Sequence, residues 1–549
     1  MAKARSASRK QQRPGSRTKR LPVGIHGHIR KEDPEDVEPG MERMDTLETL
    51  LARGRTEDVA LGAPGRQGMT YGALRELTTK VREQLNAWGL GQGDRIALVL
   101  PNGPEMAAAF LAVAGAATTA PLNPAYRAEE LAFYLEDLQA RALVVLEGAE
   151  GPAREVASAR SLPLIELSPA MEGPAGHFTL KAVQPLPGVA HRPGPATAAD
   201  VALVLHTSGT TARPKLVPLS HANLTASARH IGALLGLGPM DACLNIMPLF
   251  HIHGLVAAVL SSLGAGGRVV CTPGFNALRF FSWFEEARPT WYTAVPTMHQ
   301  ALVERARRNA DSLKDHRLRF IRSSSASLPP QVMEELERVF GVPVIESYGM
   351  TEAAHQMASN PLPPRARYAG SVGLAAGPEV AIMDDAGTRM APGALGEVVI
   401  RGPNVMVGYV NNPEANARAF THGWFRTGDQ GTLDAQGYLR LTGRLKELIN
   451  RGGEKVSPLE VDTVLLDHPA VQQAVTFALP HPKLGEDVAA AVVPREGHSP
   501  TERELRDFVA SRVADFKVPR RIIFLTELPK GPTGKVQRIG LAERLGLTS

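Results

Sequence analysis

The sequence predicts an α/β protein: a large N-terminal domain of parallel β-sheets flanked by helices, a short β-rich subdomain, and a small C-terminal α+β domain. Three observations carry this reading. Apolar strand-like runs alternate with stretches of helical periodicity through the N-terminal part, the pattern of sheets covered on both faces. Short β-type segments rich in glycine follow, over 396–402, 423–430 and 437–443. A polar glycine turn, Asn450 to Lys455, then sets off about a hundred residues with their own helix and strand signals, enough for a separate core.

In order, the periodicity predicts a helix over 73–90, a buried strand over 94–100, helices over 104–117 and 129–138, and a strand over 142–146. Residues 149–200 are rich in Pro, Ala and Gly and read as a variable connection. Val201 to Leu205 is a buried strand, and it breaks into Thr207, Ser208, Gly209, Thr210, Thr211, Ala212, Arg213, Pro214 and Lys215 before a helical pattern resumes after Ser220. Strands are expected over 268–271, 291–295, 318–322 and 342–347, with helices over 282–286 and 330–340 between them. The C-terminal unit reads as helix 458–466, strands 471–479 and 489–494, helix 502–513 and strand 521–525. It closes on Lys535 in a glycine loop. The domain limits implied are 1–40 for a tail, 41–443 for the large domain and 444–549 for the small one.

Charge is unevenly placed. Residues 1–31 hold ten Lys/Arg and no acid, while the remainder carries 51 basic and 56 acidic residues, so the net +5 belongs to the tail. That tail has neither an apolar core for secretion nor amphipathic periodicity; it reads as disordered, and a true start at Met41 or Met44 explains it equally well. With a net-acidic body and no recognition module, nucleic acid is not an expected partner. The apolar stretch over 106–116 is too short for a membrane span. Two cysteines, Cys243 and Cys271, allow neither a disulfide framework nor a four-cysteine zinc site, and point to the cytoplasm. The oligomeric state is not legible.

Residues 207–215, TSGTTARPK, have the makings of a phosphate loop: backbone N–H groups and hydroxyls that can wrap oxyanions, and a mobile lysine charge. Taken alone they read equally well as an ordinary Ser/Thr/Gly loop. Four later stretches bear on the choice: SYGMTE at 347–352, GWFRTGD at 423–429, GRLKELINRGGEKVSP at 443–458 and PKGPTGK at 529–535. Singly, Asp429 caps a turn, Tyr348 is a core aromatic, Glu352 is a first-turn helix acid and Lys535 is a surface charge. Together and in this order, the five motifs resemble the adenylate-forming superfamily of acyl-CoA synthetases, luciferases and adenylation domains, over about 44–547.

That resemblance implies a two-step reaction: a carboxylate attacks the α-phosphorus of ATP, releasing pyrophosphate, and a thiol, coenzyme A, then displaces AMP. It assigns Thr207, Ser208, Gly209, Thr210, Thr211 and Lys215 to the β- and γ-phosphates, and Ser325, Ala326, Tyr348, Asp429 and Arg444 to the rest of the nucleotide. Thr351 would touch the α-phosphate, Glu352 would hold Mg2+, and Lys535 would bridge the attacking carboxylate and the α-phosphate. The small domain is implied to be mobile, with Lys446 as the hinge and Gly452 and Gly453 approaching the CoA arm. Ala212 and Leu216 stand where many members have glycine, which implies a stiffer phosphate loop.

Within the superfamily, residues 206–224, 248–260, 320–330 and 350–364 most resemble the oxalate–CoA ligase branch. A small acid with a second carboxylate needs polar groups at the end of its pocket. His206, His251, His253, Ser324 and His355 lie in segments that the family fold brings there. The alternative is a CoA ligase for an aryl or medium-chain fatty acid, in which one of these histidines is only a gate.

Overall fold

The computed structural model describes residues 45–186, 188–207, 214–531 and 533–547, so the expected tail lies outside the described residues. Two large sheets form the body. The seven-stranded sheet runs Phe178–Ala182, Leu164–Pro169, Ala142–Leu146, Arg95–Val99, Thr118–Pro121, Val201–His206 and Leu216–Ser220, parallel except at its two edge strands. The nine-stranded sheet has Arg268–Cys271, Ala242–Asn245, Trp291–Ala294, Phe320–Ser323 and Val344–Met350 as consecutive parallel strands. Beyond them come His355–Ser359 and Leu374–Ala375 on one side and the hairpin Val59–Ala63/Arg66–Thr70 on the other. These strands are apolar because both faces are covered: helices such as Tyr71–Ala87, Pro104–Ala114 and His221–Leu234 pack their buried sides into one continuous core. No helix among the described residues is long and apolar enough to cross a membrane.

The helices 330–340 and 458–466 match the expected limits residue for residue. Three differences matter. Residues 149–200 are not a plain connection: helix Pro152–Ala159 and strands Leu164–Pro169 and Phe178–Ala182 extend the seven-stranded sheet. Frequent Pro and Gly masked short strands whose regularity comes from pairing. Second, Leu216–Ser220 is a strand antiparallel to Val201–His206, with Leu216 opposite His206. Pro218 is tolerated because this is an edge strand. Third, the apolar segment after His251 is a π-helix over His253–Leu260. A π-turn widens the helix and turns side chains to angles that an α-helix does not reach.

Five antiparallel strands, Glu379–Met383, Gly396–Arg401, Trp424–Leu433, Phe420–Thr421 and Leu439–Arg444, make the β-rich subdomain. After Arg444 comes a five-stranded sheet of Glu454–Val456, Ile449–Arg451, Gly485–Pro494, Val471–His481 and Arg521–Phe524. Helices Pro458–Leu466 and Glu502–Ala510 bury Val461, Leu465, Leu505 and Val509 against it, a core separate from those of the body. Arg538 locks this unit internally. Its guanidinium donates to Glu447 Oε2 at 2.7 Å, Asp462 Oδ2 at 2.5 Å and Thr476 O at 2.6 Å, joining the segment beside Arg444 to the chain just past Lys535. Arg538→Met leaves two largely buried carboxylates without their cation, so it is expected to cost about 3–5 kcal/mol. A lower urea midpoint is the measurement; an unchanged midpoint would remove the triad from the stabilising interactions.

Candidate active site

Strand Val201–His206 delivers Thr207 to the end of the seven-stranded sheet, and Leu216–Ser220 returns beside it. The Thr207 amide donates to Lys215 O at 2.8 Å, and the Lys215 amide donates to Thr207 Oγ1 at 3.1 Å, so the two ends of the loop are tied. Ser208, Gly209, Thr210, Thr211 and Ala212 lie outside the described residues. The Lys215 ammonium sits 4.1 Å above the centre of the Tyr409 ring. The Tyr409 hydroxyl donates to Glu352 Oε1 at 2.9 Å. Burial pushes the Glu352 carboxyl up, opposed by hydrogen bonding and by the charges of Lys215 and Arg444.

A second group surrounds Asp429. The Tyr348 hydroxyl donates to Asp429 Oδ2, and Arg444 Nε lies 3.3 Å from Oδ1. Burial raises the Asp429 carboxyl, and Arg444 draws it back. Thr351 and Glu352 open the short 3-10 turn that follows strand Val344–Met350. Strand ends of two sheets therefore converge on one place, as expected for a crevice at the carboxyl edge of parallel strands.

The third group is a knot of polar side chains under that crevice. His253 stacks on His355, with ring centres 5.0 Å apart and planes 22° from parallel. His253 Nδ1 lies 3.0 Å from Ser325 Oγ and Nε2 lies 2.6 Å from Thr293 Oγ1. His251 Nδ1 accepts from the His253 amide at 3.2 Å. Burial holds all three imidazoles well below the usual histidine range, His251 at about 3, so they are neutral at physiological pH. The backbone is strained here: Ser325, Ala354 and His355 adopt φ of 74°, 46° and 93°. Gly349 is required for a different reason, since a Cβ there would meet the His355 carbonyl oxygen at 1.7 Å.

Two of the sequence expectations are corrected. His206 does not face this knot: its Nε2 is 3.1 Å from Asp137 Oδ2 and its ring meets Tyr134 edge-on, within the layer beneath the seven-stranded sheet. Alternation along the strand explains this, because the residue that ends a buried strand can be turned into the packed layer. Ser324 is fully buried, and its hydroxyl is spent on Ser347 O at 3.0 Å. Ser325, expected at the nucleotide, has its Oγ 3.0 Å from His253 Nδ1, and Ala326 is exposed beside it. Lys446 lies exposed on the segment after Arg444 yet close to Lys215, where its charge adds to burial in lowering the Lys215 ammonium; Gly452 and Gly453 are exposed on the turn beyond.

Arg322, Thr293, Gln356, Tyr409 and Thr297 were missed. Arg322 had a readable signal: a charge in the middle of the apolar strand Phe320–Ser323. The others carry none, since a threonine in a strand or a tyrosine after glycine is commonplace.

Lys535 joins the three groups. Its loop is held against the body by Thr297 Oγ1, which donates to Gly534 O at 2.8 Å, and is closed by the Gly531 amide on Lys535 O at 2.8 Å. Lys535 is near enough to Arg444, Asp429 and Glu352 to feel their charges, and its own charge depresses His251, His253 and His355. Burial, reinforced by Arg444, pulls its ammonium down to about 8, with Asp429 and Glu352 acting the other way. The cation is thus present below that pH and lost above it. For the adenylation that the motif resemblance implies, kcat/KM, which reports the free enzyme, is expected to fall as pH rises through about 8. Lys535→Arg should move that limb upward if it retains activity. A profile flat to pH 10, the ordinary lysine range, would refute this environment for Lys535.

Comparison with known proteins agrees with this geometry. The AMP-binding enzyme family matches residues 50–410, and the AMP-binding enzyme C-terminal domain matches 460–535. An oxalate–CoA ligase of Arabidopsis thaliana is 44% identical over 508 residues, covering 90% of this chain and 97% of its own. An oxalate–CoA ligase of Saccharomyces cerevisiae is 41% identical over 479 residues, covering 83% and 88%. Among solved structures, ATP-bound MatB from Rhodopseudomonas palustris superimposes with a TM-score of 0.81 at 29% identity, covering 91% of this chain and 98% of that one. Family match, fold and converging strand ends place the chain in the adenylate-forming superfamily, as an AMP-forming acid–CoA ligase of the branch that holds these oxalate–CoA ligases.

Proposed function

We propose that the chain adenylates a small dicarboxylic acid, oxalate, at the expense of ATP and passes the oxalyl group to coenzyme A, releasing pyrophosphate and then AMP. The observation that carries this is the polar knot of His251, His253, His355, Ser325 and Thr293 beside Lys535. A long apolar acyl chain would find no lining there, whereas a second carboxylate finds hydrogen-bond donors. The likeness to two oxalate–CoA ligases supports the same acid.

The assignments follow from the groups just described. Asp429 accepts the ribose hydroxyls, with Tyr348 braced against it and Arg444 balancing its charge. Thr207, Lys215 and the loop between them take the β- and γ-phosphates. Thr351 reaches the α-phosphate. Lys535 lies between the acid and the α-phosphate and offsets their repulsion while the carboxylate oxygen bonds to phosphorus and pyrophosphate leaves. Glu352 is the metal-facing residue. Among the described residues no cluster of three or more His, Cys, Asp or Glu side chains could hold a metal, and a lone carboxylate suits Mg2+, which keeps waters and takes phosphate oxygens for its other ligands. Magnesium, when bound, would neutralise phosphate charge.

We assign residues 41–443 to the nucleotide-binding domain and 444–549 to a domain that rotates about Lys446 between the two steps, bringing Gly452 and Gly453 to the CoA arm. Their exposure here, with Lys535 in the site, suits the adenylating arrangement. Two buried, unpaired cysteines suit a reducing compartment such as the cytoplasm.

The deciding assay follows pyrophosphate release and CoA thioester formation over oxalate, malonate, coumarate and octanoate. Oxalate is expected to give the highest kcat/KM, and Lys535→Ala to lower adenylation about 100-fold or more. Preference for octanoate or coumarate would overturn the acid assignment. For the hinge, Lys446→Pro is expected to uncouple the half-reactions, sparing one and blocking the other. Two half-reactions at wild-type rates would displace the hinge from Lys446.

A further inference from the structure

Arg322 is fully buried, yet every partner it has is neutral. Nη1 donates to His355 Nε2 at 3.2 Å and to Thr293 Oγ1 at 3.3 Å, Nη2 donates to Gln356 Oε1 at 2.9 Å, and Nε has no partner. Among the described residues no carboxylate pairs with it. A buried cation without a counter-ion costs several kcal/mol, so its presence needs an anion from elsewhere. A guanidinium has donors only, and that sets the direction of each bond around it.

Because Nη1 donates to His355 Nε2, the His355 proton resides on Nδ1. Thr293 Oγ1 accepts from Arg322, and the one remaining acceptor that it contacts among the described residues is His253 Nε2, so the threonine proton goes there. His253 then carries its proton on Nδ1 and donates it to Ser325 Oγ, leaving the Ser325 hydroxyl proton for a further acceptor. His251 Nδ1 already accepts from the His253 amide, which puts its proton on Nε2. Three donors result: Ser325 O–H, His355 Nδ1–H and His251 Nε2–H. Ser325 and His251 are the partly exposed members of the set, whereas Arg322, His253 and His355 are buried.

We propose that Arg322 is a positioning residue for acid specificity: its buried guanidinium, acting through Thr293, His253 and His355, orients these donors toward the second carboxylate of the substrate, which serves as its missing counter-charge. The inference rests on the acid being a small dicarboxylate. It does not require Arg322 to touch the substrate, only that the relay keeps its direction.

The test compares kcat/KM for oxalate and for glyoxylate, a monoanion of similar size, in the adenylation half-reaction. The proteins are the wild type, Arg322→Met, Arg322→Lys and Thr293→Val, with ATP KM and thermal melting measured beside them. Arg322→Met is expected to lower the oxalate-to-glyoxylate ratio about 10- to 100-fold, the range for a lost charge-assisted interaction, with ATP KM unchanged. Arg322→Lys should restore part of the ratio. Thr293→Val, which keeps the charge and breaks the relay, should fall between wild type and Arg322→Met, and it decides the matter if Arg322→Met does not fold. A ratio equal to wild type in Arg322→Met and Thr293→Val would overturn the role of Arg322 while leaving oxalate as the substrate. A wild type that prefers glyoxylate would overturn the dicarboxylate reading, and this inference with it.

Discussion

Adenylation must bring a carboxylate against a triphosphate, and the repulsion between those anions is the constraint around which the molecule is arranged. In the proposed reaction, Lys535 meets it with a single cation at the centre. The lysine belongs to the C-terminal unit, yet its loop docks on the body through Thr297 and Gly534, and its ammonium lies among groups from both parts. Arg538, three positions further on, grips Glu447 and Asp462, so the chain just past Lys535 is tied to the segment next to Arg444. If the C-terminal unit rotates as proposed, a lysine held this way arrives and departs as a unit, without loosening the fold that carries it.

The cost of the arrangement is visible in the backbone and in buried charge. Ser325, Ala354 and His355 hold left-handed φ values that glycine would adopt freely, and the chain passes Gly349 too closely for any side chain. The π-helix beginning at His253 departs from α geometry where its first residue must reach Thr293 and Ser325. These departures surround the knot of imidazoles, the guanidinium and the crevice above them. Local rules of helix and strand are broken where the chemistry needs side chains that a regular element would point elsewhere.

Two ways of handling charge are set side by side. Near the nucleotide crevice, charges are paired or poised: Asp429 with Arg444, and Glu352 with Tyr409 below Lys215. In the neighbouring knot, neutral imidazoles and hydroxyls surround a guanidinium that has no carboxylate partner among the described residues, so donors are presented without being filled by the protein's own anions. In the proposed reaction a highly charged nucleotide and a small acid would thus meet at one lysine, each from an environment of different polarity.

Much was legible in the chain itself. Alternating apolar runs and helical periods identified the sheets and most helices, since both faces of the parallel strands are covered and burial repeats along the chain. The residue types and order of the motifs around Thr207, Tyr348, Asp429 and Lys535 pointed to the chemistry, because oxyanions demand donors and cations wherever they are bound. What the chain could not decide was direction. His206 and Ser324 were expected at the acyl end, yet one turns to Asp137 and the other bonds Ser347 O, because register and strand twist, not residue type, aim a side chain. Strands 164–169 and 178–182 were hidden for a related reason: short strands gain their regularity from neighbours that only the folded sheet supplies. Arg322 was visible as an odd charge in an apolar strand, but its meaning required His355, Thr293 and Gln356, brought to it from two adjoining segments by packing alone.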